Sequence, residues 1–433
     1  MNPHQPSRTR KSNLGLWILS LCLFPLCAVD AFANLRFKGE VALESRQFTD
    51  DDNDETTDAG AALFTRLEAT FKRRRWRASV RGIARYDVED DNREIYAIEE
   101  AWIGYRGRGW EFRSGYQMLN WTATEAFHPA DFINSRNYDS NIENAEKLGE
   151  LMISLRKSLG RGALTFYYMP RFEEPEFPGP SSRLSLVPDG FDLGPYRIWE
   201  DDGDLTRDKN VNQWGGRFTQ TLDNVDLSLH YIDHIERNLP IVVPLDEDDF
   251  PDPDGTLAIP IYQRVIDVGG TYLQIMGPWI AKVEFSHKNF VKPDGFSLLP
   301  EISDHGQAAF GLEYGWATGS GADVVLLFEA QGLIGPGKER RAELNTFQRD
   351  VLLGYSHAWN DTMDRQLLVT VIHDVERSNE TLINARYSQR LTDTWKIQGG
   401  FRIVEAPPKE EDAVGLELLH EANQVYLTLT RFF

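Results

Sequence analysis

In the stretch Trp76-Arg77-Ala78-Ser79-Val80-Arg81-Gly82-Ile83-Ala84-Arg85-Tyr86-Asp87-Val88-Glu89, apolar and polar side chains take turns. Trp76, Ala78, Val80, Gly82, Ala84, Tyr86 and Val88 fall on one side, and Arg77, Ser79, Arg81, Arg85 and Asp87 on the other. Successive side chains of an extended strand point to opposite faces, so this spacing predicts a strand with one apolar and one charged face. Ile83 alone breaks the rule. Towards the N-terminus, Leu35, Phe37, Val41 and Leu43 oppose Arg36, Lys38 and Glu40. Towards the C-terminus, Trp395, Ile397, Phe401 and Ile403 oppose Lys396, Gln398 and Arg402, and Val425, Leu427 and Leu429 oppose Gln424, Thr428 and Thr430.

One strand of this kind could be half of a sandwich. A chain of about eighteen of them, from 34–48 to 422–433, is more specific. The odd-numbered connections are long, among them 49–59, 120–149, 171–209, 234–260, 291–305, 334–346 and 405–421. The even-numbered ones are tight: Lys72–Arg75, Gly107–Gly109, Asp223, Met276–Pro278, Thr318–Ser320, Asn360-Asp361 and Thr392-Asp393. This alternation predicts an all-β, antiparallel transmembrane β-barrel with short periplasmic turns and long extracellular loops. Trp76, Trp102, Trp279, Trp316, Trp359 and Trp395 lie near strand ends, where interfacial aromatic girdles are expected.

The chain begins with Arg8, Arg10 and Lys11, then an apolar run from Leu14 to Val29, then Ala31-Phe32-Ala33. That is the layout of a cleavable export signal, too short to span as a helix, so 1–33 is read as the signal peptide and 34–433 as the barrel. Both cysteines, Cys22 and Cys27, fall inside the leader, so no disulfide framework is expected. The formal net charge of −21 argues against a nucleic-acid partner. The acidic runs Asp50–Glu55, Asp246–Asp249 and Glu410–Asp412 sit in long connections, and Arg73–Arg75, Arg106–Arg108 and Lys157–Arg161 in tight ones. Solvated outer loops suit the acidic runs.

The chain ends Val425-Tyr426-Leu427-Thr428-Leu429-Thr430-Arg431-Phe432-Phe433. This resembles outer-membrane proteins generally, and the resemblance implies that Phe433 is part of the signal read by the barrel-assembly machinery; Arg431 departs from the apolar residue usual there. A second motif runs through Ala97-Ile98-Glu99-Glu100-Ala101-Trp102-Ile103-Gly104-Tyr105, Arg113-Ser114-Gly115-Tyr116-Gln117, Asn120-Trp121 and His128-Pro129-Ala130-Asp131-Phe132-Ile133-Asn134. It is similar to the alginate-export type of porin and its uncharacterised relatives, with His128 where Asn is common. The resemblance implies a wide monomeric barrel with a loop folded inward, and it carries over no substrate.

Parity assigns the inner wall. Arg36, Lys38 and Glu40, then Arg66, Glu68 and Lys72, then Arg77, Arg81 and Arg85 are expected inside, as are Glu111, Arg113 and Gln117. Arg386, Arg390, Lys396 and Arg402 join them from the other side of the barrel's closure. The pore lining read from this set is Arg36, Lys38, Arg66, Arg77, Arg81, Arg85, Arg113, Gln117, Arg386 and Arg402. These arginines either face solutes or pair with Glu68, Glu100 and loop carboxylates. The 120–149 connection, with Glu125, His128, Asp131, Arg136 and Glu143, is expected to form a constriction, since long ordered loops of mixed composition usually carry function.

The function expected is an outer-membrane channel for passive transport of small hydrophilic solutes or oligosaccharides, with anions preferred. The alternative is a plugged structural barrel whose acidic loops bind a partner or polysaccharide. Expected partners are outer-membrane lipid and lipopolysaccharide, the assembly machinery and small polar solutes. No cofactor and no metal site are expected, because Asp50–Glu55 lacks the glycine and terminal Glu of an EF-hand loop. No enzyme is expected either. His230, His287, His357 and His373 are scattered, no G-x-S-x-G accompanies them, and Ser356 points away from His357.

Overall fold

A computed structural model describes residues 34–433 except 51–55, 140–144, 180–181, 186–191, 201, 239, 247–251, 253–254, 256, 293–301, 378 and 410–412. The leader expected at 1–33, most of each acidic run, and Glu143 lie outside the described residues.

The main-wall strands are β1 (Leu35–Phe48), β2 (Ala59–Arg73), β3 (Trp76–Asp87), β4 (Ile95–Arg106), β5 (Trp110–Gln117) and β6 (Glu150–Leu159). Next come β7 (Gly162–Met169), β8 (Gln213–Leu222), β9 (Val225–Ile235), β10 (Leu257–Met276), β11 (Trp279–Phe290) and β12 (His305–Ala317). The last are β13 (Asp323–Ile334), β14 (Arg349–Ala358), β15 (Gln366–Asp374), β16 (Thr381–Arg390), β17 (Trp395–Glu405) and β18 (Gln424–Phe432). Each pairs antiparallel with the next. β18 then returns to β1, from Glu40↔Phe432 to Phe48↔Gln424, so the eighteen-strand sheet has no edge. The expected all-β antiparallel barrel of about eighteen strands is the fold found.

Alternation explains the wall. On β3, Trp76, Val80 and Tyr86 are exposed outside, whereas Ser79, Ile83, Arg85 and Asp87 are buried. Ile83 has an inward partner set: it packs with Ala42, Phe64, Ile95 and Leu148. The apparent defect in the pattern is thus an apolar contact between the wall and the segment after β5.

The links Arg74-Arg75, Gly160-Arg161, Asp223-Asn224 and Gly277-Pro278 each join two strands through a first residue at positive φ, from 29° at Asp223 to 64° at Gly277. That backbone region matches the twist of a two-residue hairpin. At the other end, β10 runs beyond the wall, and its first residues pair with 192–193, 197–199 and 241–244 as a small covering sheet. A single short α-helix among the described residues, α1 (Lys338–Leu344), lies between β13 and β14.

One ladder is irregular. Between β3 and β4 the register steps from Arg81↔Glu100 to Gly82↔Ile98, leaving Glu99 as an extra residue. A bulge of this kind sets two consecutive side chains against one partner. Glu99 and Glu100 both bond to β2–β3 side chains of the inner face: Glu99 to Arg66 and Arg81, Glu100 to Ser79. The parity of β4 therefore inverts at this point. Trp102, expected in an outer aromatic girdle, instead stands inside with the Arg113 guanidinium 4.5 Å from its ring.

Candidate pore and its constriction

The segment after β5 is braced at its base by Asn134. The Asn134 amide donates to the Gln117 and Leu148 carbonyls at 2.9 and 2.8 Å, and its oxygen accepts from the Leu119 amide at 2.8 Å. Further on, backbone amides of the segment seek acceptors and find wall carboxylates. Glu284 of β11 accepts from the amides of Ala123, Thr124 and Ala130. Glu329 of β13 accepts from Glu125 and Ala126. Both carboxylates are fully buried. Apolar contacts spread the segment further: Trp121, Phe132 and Ile133 pack with Met152, Tyr167, Met169 and Ile232 of β6, β7 and β9. Leu148 meets β1–β3, and Phe127 joins Leu352, Ile372, Leu382 and Val404 of β14–β17.

The expected constriction residues fall within this framework. Asp131 lies between Arg136, at 3.3 Å, and Lys147, and also accepts from the Trp121 amide. Glu125 pairs with Lys282 at 2.6 Å, and His128 stands 3.8 Å from Glu284. Burial chiefly, set against nearby Asp131, holds the Lys147 ammonium below its ordinary range. Burial likewise pushes the Asp139 carboxyl up to about 6, although Arg46 is 3.6 Å away. His128, Asp131 and Arg136 line a cavity of about 160 Å³ with Lys288, His305 and Gln331 of the wall. A second cavity of about 370 Å³ adjoins it, sharing Asn238, Asn345 and Thr346. Near the two-residue turns lies a third, of about 640 Å³, bordered by Arg36, Lys72 and Arg77.

The expected lining residues separate into two groups. Arg66 pairs with Glu40 at 2.9 Å and Glu99 at 3.0 Å, Arg81 with Glu99 at 3.0 Å, Arg85 with Glu44 at 3.0 Å, and Arg113 with Glu111 at 2.6 Å. Gln117 is buried and spends its amide on Met152 and Ser154; Arg402 is buried opposite Asn384 and Gln424. By contrast, Arg36, Lys38, Arg77 and Arg386 have no carboxylate within 4 Å among the described residues. Lys72 and Lys396 share that condition.

Sequence reasoning did not single out Glu284 or Glu329, and it named Asn134 only as the end of a motif, with no role. Parity could place the two glutamates inside, but their partners are backbone amides of a distant segment, which leave no pattern in side-chain types. His230 and Ser286 each bond to Asp267, at 3.0 and 2.7 Å. That arrangement does not put a base on the hydroxyl. His357 bonds to Tyr355 at 2.9 Å. Among the described residues no group of three His, Cys, Asp or Glu has the geometry for a metal ion.

Edge-free closure, short turns at one end and a structured interior define a large, closed, antiparallel β-barrel. No protein-family model and no curated protein matches the chain. Among solved structures it is similar to Pseudomonas aeruginosa OccK5 (OpdH), at 10% identity and a TM-score of 0.50, over 92% of this chain and 97% of that one. Pseudomonas aeruginosa OccD3 (OpdP) matches at 10% identity and a TM-score of 0.50, over 92% and 91%. Salmonella typhi OmpF, in a complex with daunomycin, aligns over 94% of this chain and 99% of its own at 9% identity and a TM-score of 0.45. At such identities the likeness is one of fold.

Proposed function

We propose that the protein is a channel of the bacterial outer membrane for passive passage of small hydrophilic solutes, favouring anions, with the 120–149 connection folded inward as its constriction. One observation carries the reading: the inner face running from β16 through β17, β18, β1, β2 and β3 presents Arg386, Lys396, Arg36, Lys38, Lys72 and Arg77 with no carboxylate within 4 Å among the described residues. A wall charged in this way raises the local concentration of anions in a narrow, low-dielectric bore. A membrane setting is supported by the outer face, where Phe37, Leu43, Val80, Leu353 and Val425 stand uncovered. Hydrocarbon can cover such a face, and a sheet without edges leaves no backbone group unpaired in it. The inward fold is supported by contacts of one segment with both β1–β3 and β11–β13, which lie roughly across the cylinder from one another. Lipid, lipopolysaccharide and the assembly machinery are the surroundings this reading implies. A kinship with the alginate-export type of porin rests on the 97–134 motif alone, and saccharide passage is proposed only on that ground.

A second reading, a plugged barrel that holds its outer loops for a partner, is favoured by the apolar cluster of Phe127, Leu184, Phe347, Leu416 and Leu419 against the wall at β14–β17. Single-channel recording in planar bilayers separates the two. The channel reading expects conductance steps and an anion-selective reversal potential. No steps would reject it, and cation selectivity would reject its anion part. Glu284→Ala with Glu329→Ala unpins the segment: a constricted channel then conducts more, whereas a plugged barrel first acquires conductance.

A further inference from the structure

The turn-end cavity holds an arrangement that general anion preference does not require. Strand register sets Arg36 of β1 beside Thr70 of β2, Thr70 beside Ser79 of β3, and Ser79 beside Trp102 of β4. The next row towards the turns sets Lys72 beside Arg77, Arg77 beside Gly104, and Gly104 beside Arg113. Like charges directly opposite on neighbouring strands cost stability, yet Lys72 and Arg77 face each other with no carboxylate within 4 Å among the described residues. Gly104 carries no side chain where a Cβ would lie 2.9 Å from the Phe112 carbonyl oxygen and press on Arg113 Cγ at 3.1 Å and the Trp102 ring at 3.2 Å. The Trp102 ring, with the Arg113 guanidinium 4.5 Å from it, stands beside that space and lines the cavity. Around the cavity, Arg36, Lys72, Arg74 and Arg77 stand against Glu68 and Glu100, four cations to two carboxylates. Glu100 is already engaged by Ser79 at 2.9 Å.

We infer that this cavity is a binding subsite for a doubly charged phosphate group, carried either by inorganic phosphate or by a small phosphomonoester. The excess of two cations matches a dianion. Guanidinium forks from two strands with an ammonium between them donate from several directions, which suits a tetrahedral oxyanion better than a flat carboxylate. The Thr70 hydroxyl lies in the same patch, and the Trp102 face can shelter an ester's organic part. The inference rests on the channel reading only for the route by which the anion arrives.

The test uses the processed barrel in planar bilayers in KCl at pH 8, with phosphate added to one side at a time. Phosphate is expected to reduce single-channel current in a saturable way and more strongly from the turn end, while acetate at equal concentration is not. Lys72→Gln and Arg77→Gln, made singly, are each expected to weaken the block about tenfold. Equal effects of acetate and phosphate, or block unchanged in both variants, would overturn the subsite while leaving the channel reading intact. Absence of conductance overturns the channel reading alone, and the subsite is then read by melting in detergent. There, phosphate should raise the melting temperature of the parent but not of Arg77→Gln, and no rise in the parent rejects it. A phosphomonoester run in parallel identifies the source: stronger block than phosphate assigns the ester, weaker block assigns the free ion.

Discussion

Glu99 does the work of two residues because it is the extra one in its ladder. The bulge turns it inward beside Glu100, where it takes both Arg66 and Arg81 at 3.0 Å. Glu99→Gln should take one carboxylate from each of two guanidinium groups, leaving Arg66 with Glu40 and Glu146 and Arg81 with Glu100 at 4.0 Å. Both arginines keep partial contact with solvent, so the cost belongs near the lower end of the ~3–5 kcal/mol found for breaking buried pairs. The expected outcome is a folded barrel of lower melting temperature whose reversal potential moves towards anions; an unmoved reversal potential would show that these arginines do not face the permeant ions. Asp139 makes a prediction of a different kind. Its folded pKa of about 6 lies above the ordinary 3.8, so the stability it contributes is fully present below pH ~4 and is lost as pH rises through 6. Glu174, raised to about 7 by burial, acts in the same direction. Limited proteolysis of the connections should therefore be slower at pH 5 than at pH 8. Asp139→Asn should reduce that difference, and an identical digestion rate at both values would contradict it.

At the level of elements, the strands were legible and the segments between them were not. Residues such as Val80 and Tyr86 on β3 meet one kind of surroundings outside and another inside, so period two survives in the sequence. It failed at Trp102 because a single inserted residue reverses parity and nothing in the residue types of Ala97–Tyr105 marks the insertion. The 121–133 segment after β5 is held by its backbone amides on Glu284 and Glu329 and by buried aromatics, and such contacts have no period. Its aromatic anchor can be tested directly. Phe132 is 1% exposed, packs edge-on to Trp121 and stacks on His234 at 4.7 Å. Removing a buried phenyl ring costs about 3–5 kcal/mol. Since the strand ladder does not depend on that ring, Phe132→Ala should loosen the segment before it melts the wall. Amide exchange is expected to rise across 119–135 with the strands unchanged, and protection that falls equally in β1 and β18 would mean the segment and wall form one cooperative unit.

For the molecule as a whole, closure is one strand pair among eighteen, and it is where sequence and geometry meet most tightly. The sequence showed an ending with apolar residues at alternate positions, but not which residue it would meet. In the structure the Phe433 amide donates to the Gly39 carbonyl at 3.0 Å, and the Gly39 amide donates back to Phe433 at 2.9 Å. The Phe433 ring then lies over Gly39, where a Cβ would come within 2.4 Å of it, with Leu67 on the far side. Glycine is needed at position 39 for this close approach, since the backbone there is ordinary extended strand. Gly39→Leu should evict the ring and splay the last pair of the seam, at a cost of the order of 1–3 kcal/mol for overpacking. Because every other strand has two partners regardless, the loss falls on the one junction that turns a sheet into a cylinder. The variant is expected to yield less folded barrel and a lower melting temperature, with Gly39→Ala intermediate. A Gly39→Leu barrel that melts where the parent does would show that closure is secured by Val41–Phe48 alone and that the terminal ring is dispensable once the barrel has formed.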